Sequence, residues 1–155
     1  METNYSAFRE RQQSEVNALP LYFAFGSDQF NNLLKKLNLT EKDAKKELTM
    51  IEYGAIVRKS DLPNIRSVFK RHRKETEEAF KNMDFFKSAV IYEMRNHEYA
   101  INYQGDYDVI NALGFSTPYS DGKELDDCKM TPEQKNIYRE ARHEYYRLAD
   151  ENEWY

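Results

Sequence analysis

"SDLPNIRSVFKRHRKETEEAFKNMDFFKSAVIYEMRNH", residues 60–97, decides how this chain folds. Ile65, Val68, Phe69, His72, Thr76, Ala79, Phe80 and Met83 recur at spacings of three and four, which places them on one helical face. Such a stripe fits a helix of about five turns. Ser60 or Asp61 caps it, and Pro63 falls in the first turn, where its missing N–H costs little. Asp84 then opens a second helix with Phe86, Ala89, Val90, Met94 and His97 turned inward.

Working outward, "LTMIEYGAIV" (48–57) holds two β-prone runs around Tyr53-Gly54 and reads as a hairpin or bulged strand, with Gly54 supplying a positive φ. "LPLYFAFG" (19–26), bounded by Pro20 and Gly26, reads as a buried strand. Ser27 caps the helix that follows, whose stripe is Phe30, Leu33, Leu34 and Leu37, and a short helical turn occupies 41–47. "YAINY" (99–103) is a strand candidate, and "GDYDVINALG" a turn and small helix capped by Asp106 and closed by Gly114. Residues 116–129 are loop-like. Thr131-Pro132-Glu133-Gln134 is a capping box opening a final helix that carries Ile137, Tyr138, Ala141, Tyr145 and Leu148. The fold class that results is α+β, mainly helical, with helices packed on a small antiparallel sheet. Residues 1–18 lack an apolar period and read as a flexible or loosely packed segment, leaving 19–155 as a single globular domain.

Composition excludes several functions. No apolar run is long enough for a membrane span, and the polar start has no signal-peptide core. A single Cys128 rules out an internal disulfide and multi-cysteine zinc sites, which fits a reduced, cytosolic setting. With five glycines and no P-loop or GxGxxG, a phosphate cradle has no sequence basis, and no cofactor is implied. "HEYAI" (97–101) lacks the second histidine of a zinc-protease helix, so no metal site is expected. Glu93, one turn before His97, pairs with it structurally in this reading. His72 sits at a core edge, while His143 and Cys128 lie in separate segments. Asp106 and Asp108 fall short of a calcium loop. Gly26-Ser27-Asp28 is a helix cap rather than an anion site.

Charge is the most informative feature. Residues 58–74 carry seven basic side chains against one acidic, a net of +6, whereas 75–155 carry nine against eighteen, a net of −9. Arg58, Lys59, Arg66, Lys70, Arg71, Arg73 and Lys74 are therefore the candidate binding residues, for nucleic acid or an effector surface. Arg71–Glu75, Arg73–Glu77 and Lys74–Glu78 are i,i+4 pairs, which makes a solvated or protein-facing helix the leading reading and nucleic acid the second.

"FAFGSDQF" (23–30), "YGAIVRKSDLP" (53–63), "FKRHRKE" (69–75) and "YEMRNHEYAINYQGDYDVINALGF" (92–115) together resemble a family of small proteins carried by phages, plasmids and conjugative elements. The resemblance covers about 20–115 and implies a context: blunting of host defence, as anti-CRISPR proteins do, by stoichiometric binding. The implied partner is an RNA-guided effector nuclease of type VI or type II, or its guide RNA, in the bacterial cytoplasm. A nucleic-acid-binding accessory protein of the mobile element is the alternative, and a small hydrolase using His97 and Glu98 the third reading.

Overall fold

A computed structural model describes residues 4–155 of the chain; residues 1–3 of the N-terminal segment lie outside it. The fold is α+β and mainly helical, with one two-stranded antiparallel sheet. The chain divides into two compact units, Arg11–His72 and Arg73–Tyr155, the latter together with the described residues up to Glu10. The dividing points fall inside two helices, α1 (Tyr5–Asn17) and α4 (Leu62–Ala79).

In the Arg11–His72 unit, α2 (Ser27–Leu37) buries Leu33 and Leu34, and α3 (Glu41–Glu47) buries Ala44. Thr40 and Asp43 form a reciprocal capping box at the start of α3, and Asn38 ends α2 in the left-handed conformation that short polar side chains tolerate. The hairpin expected around Gly54 is present. Strands β1 (Leu48–Met50) and β2 (Ile56–Arg58) pair in the register Leu48–Arg58, Thr49–Val57, Met50–Ile56. Tyr53 and Gly54 turn the chain with φ of 66° and 79°. Val57 is fully buried and Ile65, one turn into α4, nearly so.

Residues 19–26 are not the buried strand that their composition suggested. Only Tyr22 pairs, through a single antiparallel bridge to Ile56, and Phe23 and Phe25 are exposed. Apolar and β-branched content favours a pleated surface only where a neighbour covers it, and here the cover is missing at both phenylalanines. Gly26, with φ 104°, occupies the N-cap position of α2, so Ser27 is its first helical residue instead of its cap.

The larger unit is built around α5 (Met83–Asn96), which packs chiefly against α8 (Pro132–Asn152) and also meets α6 (Gly105–Ala112). Asn82 caps α5 by accepting from the Phe85 N–H at 3.0 Å; Asp84, expected in that role, lies in the first turn, where its charge suits the helix dipole. On α5, Phe85, Phe86, Ala89, Val90, Glu93 and Met94 are all buried. From α8 come Tyr138, Ala141, Tyr145 and Ala149, following the Thr131–Gln134 capping box with Pro132 at the first position. Aromatic rings fill the space between helices: Phe80 meets Phe86 with centroids 5.1 Å apart and Phe115 at 6.2 Å.

Two segments depart from expectation here. Residues 5–17 form α1, whose Tyr5 and Phe8 join this core, although the segment shows no apolar period. "YAINY" makes turns instead of a strand, because local side chains claim its backbone. Asn102 Nδ2 donates to the His97 carbonyl at 3.0 Å and to Asp108 at 2.8 Å, and the Tyr99 hydroxyl donates to Asp106 at 2.8 Å. Within 116–129 the chain holds one short helix, α7 (Glu124–Asp127).

Phe86 is fully buried among aromatic and aliphatic neighbours. Phe86→Ala therefore lowers unfolding free energy by about 3–5 kcal/mol, measured by urea denaturation followed by circular dichroism; a loss below about 1 kcal/mol would contradict this packing.

Candidate functional site

Helix α4 presents two distinct faces. Ile65 and His72 are buried and Val68 and Thr76 half-buried, while Arg66, Lys70, Arg73 and Lys74 fall on the opposite, solvent-exposed side. Spacings of four, three and one along a 100° per residue helix bring these four cations into one stripe, about 12 Å long. Among the described residues none of the four forms an ion pair: Glu78 is taken by Lys81 at 2.7 Å, and neither Arg73–Glu77 nor Lys74–Glu78 is made. The helix therefore lacks part of the local neutralisation that its sequence suggested. Lys59 is also exposed, in the 3₁₀ turn just before α4.

The remaining two candidates belong to the fold. Arg58 reaches Glu47 at 3.3 Å and donates to the Leu37 carbonyl at 3.3 Å, tying β2 to α3 and to the end of α2. Arg71 points away from the basic stripe and donates to Glu15 on α1 at 2.5 Å. The same carboxylate takes His72 Nε2 at 2.7 Å, with Arg11 at 2.9 Å on its other oxygen. Hydrogen bonds from Arg71, then His72, then Arg11 hold the Glu15 carboxyl at about 2, well under the ordinary carboxylate value.

A second concentration of polar groups lies around the connection from α5 to α6. Glu93, fully buried on α5, accepts from the Tyr5 hydroxyl at 3.0 Å, pairs with Arg9 at 3.3 Å and lies 3.3 Å from His97. Burial first, and then the adjacent Glu93 charge, raises the Tyr5 hydroxyl far above its usual range, so it stays protonated and donates to Glu93. The two residues expected to pair one turn apart are thus adjacent, but Glu93 Oε2 and His97 Nε2 make no hydrogen bond to each other. Glu98 is exposed and adopts a left-handed φ of 51°.

Asp106, in the first turn of α6, accepts from Tyr99 at 2.8 Å and Tyr138 at 2.6 Å and pairs with Arg142 at 3.2 Å. Gly105 starts α6 because a Cβ there would lie 2.7 Å from the Tyr99 ring, whose hydroxyl Asp106 holds. The sequence suggests Asp106 as a helix cap, but Gln104 holds that position and Asp106 lies in the first turn. The cluster joins residues 99 and 106 to 138 and 142, which are one turn apart on α8, and no local period links the first pair to the second. Among the described residues there is no group of three His, Cys, Asp or Glu arranged to hold a metal ion, and no helix is long and apolar enough to cross a membrane. Cys128 is buried, with its thiol toward the Leu125 carbonyl.

A family model described as "Family of unknown function (DUF7659)" matches residues 4–144. No curated protein and no solved structure matches the chain.

Glu15 generates an acid-sensitivity test. Its folded-state pKa is depressed, so its contribution is present above about 4.5 and is lost as pH falls through about 2. Wild-type stability in urea should fall between those values more steeply than that of Glu15→Gln. Parallel curves for the two proteins would remove Glu15 as the source.

Proposed function

Since the chain belongs to the DUF7659 family, we propose that it is a binding protein, not a catalyst, that docks the outer face of α4 onto the anionic surface of a ribonucleoprotein. The observation that carries this reading is the exposed stripe of Arg66, Lys70, Arg73 and Lys74, which has no ion-pair partners among the described residues. Arg66–Lys70, Lys70–Arg73 and Lys70–Lys74 are like-charge neighbours at helical spacing, each costing an isolated helix about 0.2–0.5 kcal/mol. Phosphates lying along the stripe would remove that repulsion and release counterions. The resemblance to proteins of mobile elements supplies the setting: an inhibitor of an RNA-guided defence nuclease, working by occupancy in the bacterial cytoplasm.

Fluorescence-anisotropy titration of the isolated ribonucleoprotein across a salt series tests the docking face. Four single-strand phosphate contacts give a slope of log affinity against log salt of about −3. Changing Arg66, Lys70, Arg73 and Lys74 together to Glu abolishes most of that slope and weakens binding by at least about tenfold. An unchanged slope and affinity would remove α4 from the interface. Tight, salt-steep binding to naked RNA or DNA, with no added affinity for the assembled ribonucleoprotein, favours instead an accessory nucleic-acid-binding role, which would use the same cations.

A further inference from the structure

Helix α4 also carries an aromatic ring among its cations. Phe69 is 37 % exposed and stands three residues after Arg66 and four before Arg73, one helical turn from each. At 100° per residue it falls on the flank of the basic stripe, where the wet side of the helix meets the side that buries Ile65 and His72. Among the described residues Phe69 pairs with no other aromatic ring, and no arginine or lysine lies over it. That sets it apart from Phe80, Phe85 and Phe86, whose rings meet one another in the core. Arg66 and Arg73 are exposed and form no ion pair among the described residues.

A single exposed apolar side chain is ordinary on a protein surface. What distinguishes Phe69 is its company. A ring beside a row of unpaired cations matches what a single nucleic-acid strand offers: phosphates answer the charges, and a base lays its face on the ring. The neighbouring guanidinium planes can stack on the same base. A duplex has no base face to offer, since each is covered by the next base pair. An acidic protein surface satisfies the cations, but its carboxylates gain nothing from an aromatic face, which is itself the negative side of the ring. The Arg11–His72 unit, in which Phe69 lies, carries eleven lysines and arginines against seven acidic residues, so its field attracts an anionic strand. Resting on the docking of α4 onto a ribonucleoprotein, we propose that Phe69 is the stacking platform for an unpaired base in a single-stranded RNA segment of that partner, with Arg66 and Arg73 holding the phosphates on either side of it.

Fluorescence-anisotropy titration of the full chain with a short labelled oligouridylate, with the same backbone lacking bases, and with an RNA duplex of equal length tests this. The base-bearing strand binds more tightly than the abasic one. Phe69→Leu keeps the apolar bulk but offers no π-face, and it weakens binding of the base-bearing strand about fivefold or more. The slope of log affinity against log salt stays that of the wild type, because no charge is removed. On the abasic strand and on the duplex the Phe69→Leu deficit disappears. Phe69→Trp binds the base-bearing strand at least as tightly as the wild type, which separates stacking from a structural loss. Tyr103→Ala, which removes a fully exposed ring from the acidic 75–155 stretch, changes nothing. The proposal is overturned by equal binding of base-bearing and abasic strands, by a Phe69→Leu deficit of the same size on the abasic strand or the duplex, or by no binding of any strand up to about 100 µM. Unchanged binding by Phe69→Leu, beside loss of the salt slope on charge reversal of the stripe, overturns the stacked base and leaves the α4 docking face standing. A slope that survives that reversal removes both.

Discussion

Helix α5 sets the terms for the larger unit because it buries two adjacent residues on every turn. Phe85 and Phe86, Ala89 and Val90, and Glu93 and Met94 make an inward face wider than one partner helix can cover. Helix α8 takes one side of it with Tyr138, Ala141 and Tyr145, and the first turns of α1 take another with Tyr5 and Phe8. Small residues are spaced where helix backbones approach, as with Ala89, Ala141 and Ala149, each fully buried. Large rings fill the gaps at the ends of the contact. Packing of this kind tolerates little loss of volume, since the rings interlock edge to face instead of sliding past one another.

Within that apolar face, Glu93 is an apparent contradiction that the start of α1 resolves. A fully buried carboxylate is stable only when its charge and lone pairs are met. Tyr5 and Arg9 meet one oxygen from α1, one helical turn apart, while Oε2 lies 3.3 Å from His97 Nε2 without a hydrogen bond between them. The Arg9 guanidinium also lies over the Tyr92 ring at 5.6 Å. An otherwise polar segment is thereby fixed to the core by one ionic group and two rings. Asp106 repeats the device at the start of α6, with Tyr99, Tyr138 and Arg142 as its partners. Two buried or half-buried acids, Glu93 clamped by one tyrosine hydroxyl and an arginine and Asp106 by two hydroxyls and an arginine, hold together elements that are far apart in sequence.

These long-range clamps explain which parts of the fold could be read in advance. Features set by neighbours in sequence were legible: the stripe of α4 apart from Phe69, which is exposed, and Met83, which belongs to α5; the hairpin at Gly54; the Thr131–Gln134 box; and the Tyr138, Ala141 and Tyr145 face of α8. The helical state of residues 5–17 was not, because only Tyr5 and Phe8 are buried and the partner that fixes them, Glu93, is 88 residues away from Tyr5. Glu93 itself was read as a polar residue beside His97, since a charged side chain on an apolar stripe looks like its boundary. Residues 99–103 misled through composition: β-prone side chains are there, but Tyr99 and Asn102 spend their polar groups on local bonds that close turns. At the candidate interface, sequence supplied the seven cations. Only the geometry of α1, α3 and β2 separated Arg58 and Arg71, which brace the fold, from the rest.

That separation bears on the proposal that the α4 stripe faces a partner. If Arg66, Lys70, Arg73 and Lys74 served only to keep the helix wet, any polar residues would do, and alternating signs would stabilise the helix at i,i+4 spacing. The chain uses alternation elsewhere: Arg147 lies between Glu144 and Glu151, with partners at 2.6 and 2.7 Å. On α4 the acidic residues come after the cations, and Glu78 turns forward to Lys81 instead of back to Lys74. The helix consequently keeps an unrelieved positive stripe at a cost of about 1 kcal/mol from three like-charge neighbours. Folding alone does not require such a surface and slightly opposes it, and a ligand of opposite charge, as proposed, would stabilise it when bound.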